Sequence, residues 1–276
     1  MIEVFHSEFM RNALLAGLLT SVACGIIGTL IVVNRIVFIS GGIAHAAYGG
    51  IGLAFFLKIP PLAGAAGFAL VIAMIMSGVT LNNKQRADTV VGVLWAVGMA
   101  MGIILIDLTS GYSVDLMSYL FGSILAVPRS DLFLMVLVDI GVLILVAAFY
   151  NGFLAMSFDE EFAKAMGVRV GVLYYILLGM IALSVIMLIR IVGLILVIAL
   201  FTIPPFIAEK FCRSLKAMMV VSVFLNCLFS LVGLWFSYTL NLTSGATIIM
   251  VAATFFFASV IYERSRKYFM ASSKSS

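Results

Sequence analysis

Nine apolar segments, each near the length needed to cross a lipid bilayer, recur along this chain with short polar connections between them. A transmembrane helix needs about 20 predominantly apolar residues. The bilayer interior offers no water to bond exposed backbone groups, so each segment is expected to be helical. To within a few residues the segments are 12–33, 37–57, 62–81, 89–107, 132–150, 172–189, 192–208, 217–239 and 246–262.

The composition excludes a water-soluble domain. Of the 276 residues, 64% are hydrophobic and 10% are charged, whereas soluble domains carry roughly 25% charged residues. No connection is long enough to hold a second domain. The first apolar segment is too long for a signal-peptide core, so we expect it to stay as a helix. The sequence therefore predicts an all-α fold, a polytopic membrane helix bundle of about nine transmembrane helices forming a single domain over residues 1–276.

The basic residues predict how the bundle is oriented. Loops on the cytoplasmic side of a membrane carry an excess of Lys and Arg. With the N-terminus outside and the C-terminus in the cytoplasm, 12 of the 16 basic residues lie on the inner side. Those left outside are Arg11, Lys58, Arg129 and Arg190. The net charge of +4 is thus loop charge of a membrane protein and does not indicate nucleic-acid binding.

Two stretches depart from simple spanning helices. Residues 113–131 are apolar over too short a length to cross and end near Pro128, which predicts a short re-entrant helix shielded from lipid by the rest of the protein. In the seventh span, Pro204 and Pro205 remove two backbone donors, so we expect a kink or break. An alternative is that the freed carbonyls line a path through the protein.

Residues 157–167 (SFDEEFAKAMG) form the longest charged amphipathic segment. Ser157 and Glu160 have the spacing of a capping box, and Gly167 fits a helix stop. Glu160 and Lys164 are spaced to pair, and the acidic first turn suits the helix dipole. That first turn contains Asp159, Glu160 and Glu161.

At about 15 Å this helix is too short to span a bilayer, and the orientation above places it in the cytoplasm. One face is apolar and consists of Phe158, Phe162, Ala165 and Met166. It is either a solvated loop helix or a docking helix for a soluble partner.

The second span is unusually rich in small residues and contains His45. Gly42, Ala46 and Gly50 form a small-xxx-small row of the kind that lets membrane helices approach closely. An ionisable residue deep in a span is either satisfied by a neighbouring group or functional, and imidazole is a common ligand of transition metals. Asp139 is the other ionisable residue deep in a span and a candidate partner for His45.

Five stretches in this order resemble the membrane permease of ABC importers for divalent metals of the zinc, manganese or iron type. They are 37–52 (VFISGGIAHAAYGGIG), 115–132 (DLMSYLFGSILAVPRSDL), 158–170 (FDEEFAKAMGVRV), 192–213 (VGLILVIALFTIPPFIAEKFCR) and 237–251 (SYTLNLTSGATIIMV). The resemblance covers nearly the whole chain.

The resemblance implies a multi-pass homodimer in a bacterial or archaeal cytoplasmic membrane. It implies cytoplasmic ATPase subunits that hydrolyse ATP, an extracytoplasmic metal-binding protein and a transported divalent metal ion with no stably bound cofactor. It also implies that the helix at 157–167 is the coupling helix that docks on the ATPase. The permease itself would not be an enzyme, in agreement with the absence of a P-loop sequence.

The chain departs from the family pattern where the cargo is expected to bind. An aspartate usually precedes the second-span histidine by four residues, and here that position is Gly41. Near the last span, Asn241, Thr243 and Gly245 stand in a motif that usually holds aspartate and proline. A site with fewer carboxylates neutralises a dication less well, which predicts softer ligands or weaker, transient binding.

Two other functions are compatible with some of these residues. A secondary transporter would use His45 and Asp139 as a proton relay, but such folds usually show inverted repeats, which are not evident here. An intramembrane metalloenzyme would need a ligand set such as H-E-x-x-H, and His45 is followed by Ala-Ala-Tyr-Gly.

The orientation can be tested by labelling single cysteines placed at Lys84, Lys164 and Arg266. Because all three lie on the predicted inner side, a membrane-impermeant thiol reagent is expected to label them only after cells are permeabilised. Labelling of any of the three in intact cells would overturn the orientation.

Overall fold

The computed structural model describes residues 8–82, 86–109, 124 and 127–272, with side chains up to residue 265. Within these ranges every regular element is an α-helix. In chain order the helices are α1 Glu8–Val33, α2 Val37–Leu57, α3 Pro61–Asn82, α4 Ala87–Asp107, α5 Arg129–Ala148, α6 Tyr150–Phe158, α7 Glu160–Ala165, α8 Val170–Val192, α9 Leu194–Glu209, α10 Leu215–Leu240 and α11 Ser244–Ser272.

Each of the nine predicted spans is helical, and the all-α membrane bundle is confirmed. Among the described residues, eight helices are long and apolar enough to cross a membrane, and α9 is apolar but has only 16 residues. At 1.5 Å per residue α9 is about 24 Å long, short of a hydrocarbon core of about 30 Å. The predicted re-entrant helix at 113–131 falls almost wholly outside the described residues, apart from the extended Pro128 that precedes α5.

Three helices, α1, α2 and α8, make up the centre of the bundle. In an apolar stretch of 18 residues taken from each helix, 72%, 78% and 72% of the residues of these three are buried. In the other long helices the buried share of that stretch is between 22% and 44%. Around this centre, α1 packs against α10, α9 and α5, while α2 packs against α4 and α3, and α8 packs against α3. The outer faces of α4 and α5 expose large aliphatic side chains, as lipid-facing helices do.

The contact between α2 and α4 is made at the backbone. A Cβ built on Gly98 of α4 would lie 2.8 Å from Ala46 Cα, and one on Gly49 of α2 would lie 2.9 Å from the Gly98 carbonyl oxygen. Gly50 makes a similar contact with α3, because its Cβ would lie 2.6 Å from the Gly64 carbonyl oxygen. Such distances leave no room for a side chain, so small residues at these positions are required for the helices to meet.

The predicted small-residue row is split between these two neighbours. Gly42 faces Val91 of α4, Ala46 faces Gly98 of α4, and Gly50 faces α3. The row therefore lies at helix–helix contacts on two sides of α2.

A one-residue break separates α8 from α9. Gly193 has φ 81° and ψ 158°, a conformation that side-chain-bearing residues rarely adopt. Its carbonyl accepts the first bond of α9, from the Val197 N–H at 3.2 Å. The prediction that Arg190 lies in an outer loop is wrong, because α8 continues to Val192 and includes it.

The paired prolines do not break α9; of the predicted kink or break, only the break is contradicted. The helix runs from Leu194 to Glu209 with Pro204 and Pro205 inside it. Pro205 cannot bond the carbonyl of Phe201, and that oxygen lies against Gly28 of α1, where a Cβ would come within 2.6 Å. This freed carbonyl therefore faces a neighbouring helix and does not line a path.

Replacing Gly98 by alanine is expected to destabilise the bundle. The new methyl would meet backbone atoms of α2, and overpacking of this kind costs about 1–3 kcal/mol. The matched control is Gly92→Ala on the same helix, where a Cβ meets nothing within 4 Å. There, exchanging glycine for alanine is expected to be neutral or to stabilise by up to about 1 kcal/mol. The free energy of unfolding in a detergent titration measures both, and equal stability of the two variants would contradict the close contact.

Candidate functional site

His45 lies on α2 with its imidazole against α4. The imidazole stacks on the indole of Trp95, with ring centroids 3.9 Å apart and planes 12° from parallel. Its Nδ1 is buried and has no hydrogen-bond partner among the described residues. Leaving a buried polar atom unbonded is costly, so this nitrogen is a candidate for a ligand bond that the described residues do not supply.

The position one helical turn before His45 has room for a side-chain carbon. Gly41 is buried, but a Cβ built on it would meet, among the described residues, only the Cδ1 of Ile198 in α9, at 3.8 Å. Gly41 therefore differs from Gly49 and Gly50, which are pressed against neighbouring backbone. The position where the resemblance implies a carboxylate therefore carries no side chain, on the same side of α2 as the imidazole.

Asp139, the predicted partner of His45, lies in a different interface. It is 6% exposed on α5, and its Oδ2 has no hydrogen-bond partner among the described residues. The carboxyl is close enough to Cys24 of α1 to interact electrostatically. Because α5 packs mainly on α1 and α2 mainly on α4 and α3, the structure does not bring Asp139 and His45 together within one chain.

No ready-made metal cage is present in the described part of the chain. Among those residues, no group of three or more His, Cys, Asp or Glu could hold a metal ion. His45 alone offers one imidazole, which in a single protomer suits brief contact with a cation and not storage.

At the end of the bundle where α5 begins and α8 ends, a buried carboxylate is paired with arginine. Asp131 in the first turn of α5 lies 3.3 Å from Arg190 Nε and is almost fully buried. A second pair, Arg129 with Glu8 at 2.8 Å, joins α5 to α1 at the same end. Beside Arg190 an apolar cavity of about 340 Å³ opens between α2, α3 and α8. Sequence reasoning did not find the Asp131–Arg190 pair, although an Asp just after Pro128 is typical of a helix start.

At the opposite end, a more polar cavity of about 290 Å³ lies beside the short helix α7. Its lining includes the carboxylates Asp88 of α4 and Glu160 of α7, with Asn34 and Arg35 from the corner between α1 and α2. Glu160 also bonds Lys164 at 2.7 Å, as its i,i+4 spacing predicts. The cavity therefore lies between α7 and the ends of the spanning helices.

The amphipathic segment 157–167 is two short helices and not one, which corrects the predicted capping box. Ser157 belongs to α6, and its hydroxyl accepts a bond at 3.0 Å from Nδ2 of Asn34, the residue that follows α1. The cap of α7 is Asp159, whose carboxylate accepts from the N–H groups of Glu161 and Phe162 at 3.0 Å each. The serine is used to hold α6 against α1, and a charged acceptor two residues later starts the helix instead.

The end of α7 is closed as predicted at Gly167, which has φ 81°. Its N–H bonds the Lys164 carbonyl and the next N–H, of Val168, bonds that of Ala163, both at 3.0 Å. This pair of bonds is a Schellman motif, which favours glycine at its left-handed position.

The apolar face of this segment is open to the surroundings. Phe158, Phe162 and Met166 are 81%, 63% and 69% exposed. Ala163 on the opposite side is fully buried and holds α7 to the bundle. Two aromatic rings and a thioether therefore project from the end of α6 and from the capped helix α7 that follows it.

The fold and these two regions define a class: a multi-pass helical membrane subunit with a lone intramembrane imidazole and a short apolar-faced helix outside the bilayer. Residues 6–263 match the ABC 3 transport family. The chain belongs to this family and is a membrane permease, with no catalytic function of its own.

Several known proteins are similar to this chain over nearly its whole length. A membrane protein of Synechocystis sp. is 51% identical over 96% of this chain and 94% of its own. A manganese transport system membrane protein of Listeria monocytogenes is 32% identical over 92% of this chain and 91% of its own. The solved structure of PsaBC from Streptococcus pneumoniae in complex with Fab superposes with a TM-score of 0.82 at 33% identity, covering 94% of this chain and 95% of that one.

Proposed function

We propose that this chain is the permease of an ABC importer that carries a divalent metal ion, manganese in the first instance, into the cytoplasm. Two copies form the transmembrane pathway, cytoplasmic ATPase subunits drive alternating access, and an extracytoplasmic metal-binding protein delivers the cargo. The N-terminus lies outside and the C-terminus in the cytoplasm.

The observation that carries the proposal is the half-buried His45, whose Nδ1 has no hydrogen-bond partner among the described residues, one helical turn from the uncrowded position at Gly41. A neutral imidazole offers a lone pair to a metal. The relative from Listeria monocytogenes is named for manganese transport, which favours manganese among the divalent ions.

The weak ligand set fits transit. Manganese prefers oxygen ligands, and one imidazole per protomer binds it less tightly than it binds zinc or copper. Selection of the metal is therefore assigned to the delivering protein, and the permease supplies a low-affinity step from which the ion leaves readily. A dimer would place two such imidazoles along one pathway.

A proton-coupled transporter that uses His45 and Asp139 is the less favoured function. The two side chains lie in separate interfaces, with His45 against α4 and Asp139 against α1. Within one chain, the helix packing offers no direct relay between them.

Removal of the imidazole is expected to abolish most uptake. Removing even an outer partner of a metal ligand lowers affinity or activity at least about tenfold. His45→Ala and His45→Gln, in cells expressing the whole importer, are therefore expected to lower manganese uptake by at least about the same factor. The measurement is radiolabelled manganese accumulation at equal protein levels.

The matched control for this experiment is His6→Gln, which removes the other histidine of the chain. It is expected to leave uptake unchanged. Wild-type uptake by His45→Ala at normal protein levels would show that the imidazole only packs against Trp95.

Truncation of Phe162 is expected to weaken ATPase docking. Because Phe158 at the end of α6 and Phe162 and Met166 of the capped α7 turn are exposed, we assign them as the anchors that enter the ATPase. Loss of a buried aromatic anchor costs about 2 kcal/mol or more, or roughly 30-fold in affinity. Co-purification of the ATPase subunits and transport-coupled hydrolysis measure the effect.

The control is Phe133→Ala, at the far end of α5 from α6 and α7, where the side chain is similarly exposed. It removes the same ring from the opposite end of α5 and is expected to leave assembly intact. Normal assembly and coupling in Phe162→Ala would refute the docking surface.

A further inference from the structure

We infer that Trp95 is a positioning residue for the cargo step: its indole holds the imidazole of His45 in the orientation that presents a ring nitrogen to the metal. The inference rests on the proposed function and assigns a role to a residue of α4 that does not itself bind the ion.

Metal-binding histidines are usually held by a hydrogen bond from the second ring nitrogen to a carbonyl or carboxylate. His45 has no such bond at Nδ1 among the described residues. Its ring packs instead on the face of Trp95, 3.9 Å away and 12° from parallel. A stack of this kind restricts ring rotation while leaving the nitrogens, which lie in the ring plane, available at the edge.

Two contacts of α4 fix the position of the indole, one by its ring nitrogen and one by the nearby backbone. Its Nε1–H donates to the Sδ of Met99, one turn along α4, at 3.1 Å. Three residues after Trp95, Gly98 brings the α4 backbone against Ala46, the neighbour of His45 in sequence. The backbone contact thus sets the distance between the two rings, and the bond to Met99 sets the tilt of the indole.

The stack also has an electrostatic consequence. The face of an indole is electron-rich and attracts cationic partners. An imidazole that binds a dication becomes partly positive, so the stack stabilises the bound form over the free one. Removing the indole is expected to weaken manganese binding about fivefold, within the range of cation–π contacts.

Manganese(II) binding by the purified full-length permease tests this role, followed by the EPR signal of the free ion. We expect Trp95→Ala to raise the dissociation constant about fivefold and Trp95→Phe, which keeps a stacking ring, to stay within about twofold of wild type. Thermal stability is measured in parallel. Equal dissociation constants for wild type and Trp95→Ala, with or without a loss of stability, would overturn the inference.

Fluorescence supplies a readout that depends on the stack itself. Trp95 and Trp235 are the two tryptophans, so Trp235→Phe leaves Trp95 as the single emitter. In that background, His45→Gln is expected to change the emission without metal and to remove quenching by manganese(II). Unchanged emission would show that the rings do not stack and would overturn the inference.

The two proposals fail in different ways. Binding that needs His45 but is indifferent to Trp95 removes the positioning role and leaves the proposed function standing. Binding and fluorescence as expected, without manganese uptake by the importer, would retain the ring pair as a metal-contacting unit and overturn the transport proposal.

Discussion

The contact between the backbones of α2 and α4 determines much of this structure. In a membrane, apolar side chains gain little by leaving lipid for protein, so helices associate where their surfaces fit closely. Here Gly98 lies so close to Ala46 that an added methyl would collide with the backbone of α2. The same contact brings Trp95 to the face of His45, so packing of the pair and geometry of the candidate site have one origin.

The site that results is sparse. Under the proposed function, one imidazole, the uncrowded position at Gly41 and a distant Asp139 would form a weak metal site in a single protomer. Weakness suits a transporter, because a cation that is bound tightly in the membrane would be released slowly. The polar cavity at the opposite end, with Asp88 and Glu160, connects the spanning helices to α7. Because Glu160 of α7 lines that cavity, a movement of α7 together with an ATPase would change the shape of the cavity.

Much of the fold could be predicted from the sequence. The length of an apolar segment and the spacing of small residues along it can both be read within one segment, and they indicate a spanning helix and its contact face. All nine spans are helices, and Gly42, Ala46 and Gly50 lie at helix contacts. The exposure of Phe158, Phe162 and Met166 agrees with the apolar face predicted for the segment at 157–167.

The predictions that were wrong concerned contacts between residues far apart in the sequence. Ser157 has the right spacing for a cap, yet Asn34, 123 residues earlier in the chain, takes its hydroxyl. Asp139 was chosen as a partner for His45 only because both are ionisable and deep, and periodicity does not tell which helices touch. Trp95 was missed because an aromatic residue in an apolar span is ordinarily packing. The signal available was its position three residues before Gly98, on a helix that carries further glycines.

The central claim, that His45 contacts the cargo, can be measured directly. Manganese(II) trapped in the assembled importer is paramagnetic, and electron spin echo envelope modulation detects a nitrogen bonded to it. With only His6 and His45 in the permease, the assignment within this chain needs two variants. The account predicts an imidazole nitrogen coupling that persists in His6→Gln and disappears in His45→Gln. A coupling that survives His45→Gln, or no nitrogen coupling in the wild-type importer, would contradict it.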